Sequence, residues 1–140
     1  MYWYQKAADQ GLAESQYNLG VYYYKGQGVK QDYKLAFNWF QKSADQGLMK
    51  AQNNLGSCYF KGHGVVKDLN QAIYWLEKAA NQGYVDAQFN LGQLYNTDNS
   101  IYKDEKLAFN WYKIAAEQGN AEAQNLIGFF YNNGKGIQKD

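Results

Sequence analysis

Few side chains in this sequence have the types and spacing that chemistry requires. His63 is the single histidine and stands between two glycines. No second His or Cys is placed to complete a zinc tetrahedron with it, and no H-E-x-x-H pattern surrounds it. A serine-histidine-carboxylate set would need His63 beside Ser15, Ser43 or Ser57, and no local pattern poises any of these hydroxyls. Ser100-Ile-Tyr-Lys103 has the S-x-x-K spacing of a nucleophilic serine with a lysine three residues on, but no S-D-N or K-T-G follows. Gly-x-Gly occurs at Gly26, Gly62 and Gly134, never within G-x-G-x-x-G or G-x-x-x-x-G-K-[ST] and never after a strand pattern. These glycines read as helix-connecting turns and not as phosphate cradles. Cys58 is the single cysteine, so no disulfide forms within the chain, and the column it shares with Tyr22, Leu94 and Phe130 predicts a buried thiol. Glu14, Asp86 and Glu122 share one column, where they suit helix N-termini and do not converge on one pocket. We assign no catalytic, cofactor-binding or metal-ligating residue, expect no cofactor, and do not read the chain as an enzyme.

The elements that carry these residues repeat. Trp3, Trp39, Trp75 and Trp111 stand 36 apart, and so do the columns beginning at Gly11, Gly20, Tyr23 and Asp32. Self-similarity at a fixed period of this size is the mark of a solenoid whose units must stack to bury their faces. The partition is a partial unit at 1–11, complete units at 12–47, 48–83 and 84–119, and a partial unit at 120–140. We expect one all-α domain, a right-handed α-solenoid of antiparallel helix pairs with seven helices.

Within a unit, Ala51, Leu55, Cys58, Tyr59 and Gly62 share one helical face, which defines helix A. Asp68 can cap a helix B whose buried face carries Ala72, Trp75, Leu76, Ala79 and Ala80, and Gly83 ends it. Tryptophan is expected at the core register of helix B, with its ring beside the mid-helix glycine that recurs at 20, 56, 92 and 128. The loop containing Asp98, Asn99 and Ser100 replaces G-x-G and is expected to differ most in shape.

The columns Ala51, Leu55, Gly56, Tyr59, then Gly62, Gly64, Val65, then Asp68, Ala72, Trp75, Lys78, Ala79, Ala80 and Gly83 resemble the Sel1-like repeat, a relative of the tetratricopeptide repeat. The resemblance covers essentially the whole chain. It implies a protein-interaction or scaffolding role. Penicillin binding or hydrolysis, attributed to some proteins of this kind, makes a β-lactamase-like or cell-wall hydrolytic enzyme the competing class. A structural spacer within a longer chain is a third. Secreted relatives that pair cysteines between the helices of each unit are not matched here.

A formal charge of +1 over 140 residues supplies no basic footprint for nucleic acid, and no apolar run is long enough for membrane insertion. Aromatic residues reach 18% against 19% charged, an excess that stacked interfaces absorb. Because the sequence opens inside a helix B and closes on the cap residue Asp140, we expect a fragment of a longer array. The compartment stays open, with cytoplasm and periplasm both compatible. The same open ends predict self-association, with Trp3, Tyr4, Ala7 and Ala8 of one molecule meeting Leu126, Phe130 and Tyr131 of another.

The remaining surface is the face of the A helices, expected to be concave. Tyr17, Asn53 and Phe89, then Asn18, Asn54 and Asn90, then Tyr24, Phe60 and Asn96 place rings beside amides. Rings give anchor area and asparagines can satisfy a peptide backbone, so these nine residues are the expected groove for a protein or peptide partner. In related tetratricopeptide units an asparagine at the place of Asn18, Asn54 and Asn90 contacts the peptide, which the resemblance implies here.

Overall fold

The computed structural model describes residues 2–98 and 100–133, and these form eight α-helices. In chain order they are α1 (Tyr2–Asp9), α2 (Ala13–Lys25), α3 (Tyr33–Asp45), α4 (Met49–Lys61), α5 (Leu69–Asn81), α6 (Val85–Tyr95), α7 (Glu105–Glu117) and α8 (Ala121–Asn133). The expected count of seven is corrected to eight. Each of the three complete units contributes a pair, and each partial unit contributes one more helix. The A helices are α2, α4, α6 and α8, and the B helices are α1, α3, α5 and α7. Asn99, Gly134 and Asp140 lie outside the described residues.

Local chemistry sets the helix ends. The carboxylate of Asp32 accepts from the Leu35 N–H, that of Asp68 from the Gln71 N–H, and that of Asp104 from the Lys106 and Leu107 N–H groups, each at 3.1 Å. These caps satisfy donors that a helix start leaves orphaned. The same three aspartates close the loop between A and B through their backbone: their N–H groups donate to the carbonyls of Tyr23, Tyr59 and Tyr95 at 2.8, 3.0 and 2.8 Å. The loop without G-x-G is thus closed at the same point as the others. What changes is helix length: α6 stops at Tyr95 after 11 residues, whereas α2 and α4 run for 13. Left-handed glycines at Gly26 and Gly62 cap those two helices, and α6 ends instead on Asn96.

The chain divides into two compact units, one ending at Ala79 and the other starting at Ala80. The core of the first gathers Ala36, Phe40, Ala44, Ala51, Leu55, Cys58 and Trp75, with Tyr17, Tyr24 and Phe37 among the partly buried residues packed on it. In the second, Ala87, Leu91, Leu94, Ala108, Tyr112, Ala115, Ala123 and Phe130 are buried.

The mid-helix glycines have a steric reason. A Cβ on Gly20 would lie 2.5 Å from the Phe40 ring, one on Gly56 would lie 2.7 Å from Leu76, and one on Gly92 would lie 2.5 Å from the Tyr112 ring. Each glycine is therefore a seat for the B-helix residue that follows the tryptophan. This corrects the expectation that the tryptophan ring fills the gap. Phe40, Leu76 and Tyr112 are each 1% exposed. The tryptophans sit on the shoulder of the interface, where Trp75 is buried, Trp39 and Trp111 are half-buried and Trp3 is exposed. At the shoulder a lysine one turn on covers the ring, with Lys42 Nζ 4.6 Å from Trp39 and Lys78 Nζ 5.9 Å from Trp75. The fourth such lysine is replaced by Ile114, which is exposed.

A glutamine column adds a polar staple. Gln16, Gln52 and Gln88 are buried, and with Gln124 their Nε2 groups donate to the carbonyls of Ala8, Ala44, Ala80 and Ala116 at 3.1 to 3.4 Å. Each thus satisfies a carbonyl near the C-terminus of the preceding B helix.

Candidate functional site

The nine candidate residues lie on α2 and α4 in the first unit and on α6 and its C-cap in the second. Tyr17, Asn18, Tyr24, Asn54, Phe60, Phe89, Asn90 and Asn96 are half-buried, whereas Asn53 is buried. Half-burial follows from the helical phase: these A-helix columns lie to the sides of the fully buried Leu19, Leu55 and Leu91.

In the first unit the Tyr17 ring lies 6.1 Å from Phe40 and takes Lys50 Nζ at 5.8 Å, and Phe60 takes Lys67 Nζ at the same distance. Cations over ring faces keep both aromatics ordered and add positive charge beside them. The amide of Asn53 points at Asn54 Oδ1 across 3.4 Å, tying the two columns together.

Tyr24 has a different environment from the one expected of a groove ring. Its hydroxyl is 2.7 Å from His63 Nδ1, and its ring is 4.9 Å from Tyr33. His63 in turn stacks on Tyr33 with centroids 4.3 Å apart and planes within 6°. The lone histidine is thus a ring filler between two tyrosines that belong to the preceding repeat. Gly64 makes the stack possible: at φ 77° its would-be Cβ would collide with the Tyr33 carbonyl. The second glycine of G-x-G is needed for this close approach of loop to helix start. Burial raises the Tyr24 phenol above its ordinary value, with the neighbouring Cys58 and Tyr33 acting in the same direction. The one trace of this cluster in the sequence is the tyrosine pair Tyr24 and Tyr33, which the next repeat replaces by Phe60 and Leu69.

In the second unit the Phe89 ring lies 5.6 Å from Tyr112, and the Asn96 side chain hydrogen-bonds the Tyr112 phenol. Burial pushes that phenol up to about 12 despite the Asn96 contact. Asn96 is therefore committed to the core on one side.

Cys58 is buried, and burial pushes its thiol up to about 12, so it stays protonated at neutral pH. Ser100 Oγ accepts from the Tyr102 N–H at 3.1 Å. Lys103 pairs with Asp98 and sits 3.8 Å from Glu105. The hydrogen bond to Asp98 holds its ammonium above the ordinary lysine value. A lysine serving as base must lose its proton readily, and these carboxylates oppose that. Among the described residues no three His, Cys, Asp or Glu side chains gather at a metal-binding spacing, and no helix is long and apolar enough to cross a membrane.

Comparison with known proteins agrees with this architecture. The Sel1 repeat matches residues 1–12, 13–48, 50–84, 85–120 and 121–140. No curated protein sequence matches the chain. Among solved structures, a protective antigen of uropathogenic Escherichia coli strains is 40% identical over 99% of this chain, with a TM-score of 0.93. A Sel1 repeat protein from Oxalobacter formigenes is 44% identical over 93% of the chain, with a TM-score of 0.83. The chain spans 30% and 53% of the lengths of these two proteins. The cysteine-rich protein B of Helicobacter pylori, at 22% identity, 89% coverage of this chain, 90% of its own length and a TM-score of 0.65, shares the fold alone.

Proposed function

From the premise that the chain belongs to the Sel1 repeat family, we propose that its interaction surface is the face of the A helices and that its partner is an extended peptide segment of another protein. Sel1 repeats generally mediate protein-protein interactions, and this chain is a non-enzymatic module of that kind. The observation that supports the face is the recurrence of half-buried rings and amides in three columns of the repeat: Tyr17 and Asn18 on α2, Asn54 and Phe60 on α4, and Phe89 and Asn90 on α6. A half-buried ring loses little conformational freedom on binding, and an amide can meet both N–H and C=O of an extended backbone. Asn53, Tyr24 and Asn96 support that face from beneath through their own packing.

The test is capture of a peptide from a display library, measured for the parent chain, Asn54→Ala and Phe60→Ala. Both variants should keep the far-ultraviolet circular dichroism of the parent and weaken capture. Equal losses of thermal stability and capture would return the two residues to the packing seam.

Self-association is a second reading that a specific observation favours. Tyr2, Trp3 and Tyr4 on α1 and Phe129 and Tyr131 on α8 are exposed large aromatics. Clusters of this kind mark surfaces that meet other protein.

A further inference from the structure

We propose, on the reading of the A-helix face given above, that the peptide received by the first unit is acidic and places two carboxylates about four or five residues apart, one on Lys50 and one on Lys67. Lys50 breaks a column. The other three repeats carry Glu14, Asp86 and Glu122 at this position, in the first turn of α2, α6 and α8, whereas the first turn of α4 has no acidic residue. A carboxylate suits the positive end of a helix dipole and a cation opposes it, so the fold by itself gains nothing from this ammonium. Helix α4 also starts on Leu48, which offers no side-chain cap. What Lys50 does have is a place on the candidate face: the residue is exposed, and its Nζ stands 5.8 Å from the Tyr17 ring centroid. A residue that breaks a local rule with no structural return is where function is expected.

Lys67 supplies the second cation. It follows α4 in the loop, is exposed, and holds its Nζ 5.8 Å from the Phe60 ring centroid. Neither Lys50 nor Lys67 pairs with a carboxylate among the described residues. In the second unit the equivalent of Lys67 is Lys103, which is paired with Asp98 and lies 3.8 Å from Glu105, and the equivalent of Lys50 is Asp86. Charge over each unit points the same way: residues 1–79 hold nine lysines against six Asp and Glu, and residues 80–140 hold five against seven. Lys50 and Phe60 are ten residues apart on α4, about 15 Å along its axis, a distance that an extended chain covers in four or five residues. Asn54 stands between them on the same helix, with an amide for the intervening backbone. A carboxylate that meets an ammonium already seated on a ring gains a charge-assisted hydrogen bond at little cost in ordering the lysine. Nucleic acid phosphates also answer to cations, but they recur at every nucleotide and ask for a continuous basic track, which two isolated lysines and a formal charge of +1 do not form.

The probe is a library of random displayed peptides, selected on the parent chain and on the double variant Lys50→Gln, Lys67→Gln. Both substitutions fall on exposed side chains, and circular dichroism checks that the variant folds. Peptides captured by the parent should be enriched in Asp and Glu at that spacing. A synthetic copy of one of them should bind the double variant about three- to thirtyfold more weakly, the strength of two exposed ion pairs. Raising salt from about 0.05 to about 0.5 M should weaken the parent and leave the double variant little changed. Lys50→Glu should bind the same peptide more weakly still and yet raise the thermal midpoint by about 1–4 °C, since it restores the carboxylate of the other repeats. A lowered midpoint would mean that the fold needs this ammonium, and would overturn the inference. Displacement of the bound peptide by oligothymidine at equal charge would do the same and give the two cations to nucleic acid. Capture that falls in Asn54→Ala and Phe60→Ala but shows no acidic enrichment would remove the acidic partner and leave the face standing, whereas a parent chain that captures no peptide would remove both.

Discussion

The seat-and-knob packing makes one substitution change sign between two equivalent positions. Replacing a mid-helix glycine by alanine favours the helix by about 1 kcal/mol, because alanine loses less backbone freedom on ordering. At Gly128 nothing opposes that gain, so Gly128→Ala should stabilise the chain by about that amount. At Gly92 the added methyl group would lie 2.5 Å from two atoms of the Tyr112 ring and 3.0 Å from a third. Tyr112 cannot swing aside cheaply: it is fully buried, its phenol is held by Asn96, and Phe89 and Phe130 pack on its ring. Overpacking of this kind costs about 1–3 kcal/mol, so Gly92→Ala should come out between neutral and about 2 kcal/mol destabilising after the helical gain. The difference between the two variants cancels the propensity and isolates the steric cost. Urea titrations at low micromolar protein should separate their midpoints by about 0.5–2 M for an m-value of ordinary size. Equal shifts of the same sign in both would refute the assignment of Tyr112 to the glycine seat, and with it the register of the whole repeat.

Four further outcomes follow from the same geometry. Phe40→Ala should cost about 3–5 kcal/mol as a fully buried aromatic, while its neighbour Trp39→Ala, half-buried under Lys42, should cost clearly less; chemical denaturation with matched m-values decides, and equal losses would restore the tryptophan to the core. Cys58 should resist thiol-reactive reagents at pH 8 in the native state and react at once in urea, because burial holds its thiol near 12; rapid native labelling would contradict its place in the core. Stability should be flat from neutral pH to about 9 and then fall towards pH 12. The raised Cys58 and Tyr112 groups, at about 12 against ordinary values of 9.0 and 10.0, stay protonated in the folded chain while the unfolded chain ionises, so the folded state binds more protons and loses stability as pH rises through that window. Ser100→Ala should leave the unfolding midpoint within about 0.5 kcal/mol of the parent, and the parent should not turn over nitrocefin; turnover lost in Ser100→Ala would sink the binding-only reading.

How much was legible beforehand divides along physical lines. The 36-residue recurrence of Trp, Gly, Tyr and Asp is a covalent fact of the chain, and it marked out the helix pairs, the aspartate caps and the glycine stops because those are local: a cap acts within three residues and a helical face within eight. The buried alanines and leucines followed for the same reason. Helix number was also present in the sequence, since three full units and two partial ones require eight. Which neighbouring column owns the glycine seat was beyond local reasoning. Trp39 and Phe40 are adjacent in the chain and about 100° apart on the helix, and the angle at which α3 crosses α2 decides which of them meets Gly20. The glutamine staple recurred in plain sight, yet its acceptors are carbonyls eight residues upstream that become neighbours only when one helix has turned back on the next. His63 was lone and uninformative as sequence. Its partners Tyr24 and Tyr33 lie 39 and 30 positions away, and only the stacking of one repeat's loop on the preceding repeat's helix brings the three rings together. Periodicity determines what each repeat is; the contacts between repeats, made by residues a full period apart, are decided in three dimensions because no local rule reaches that far.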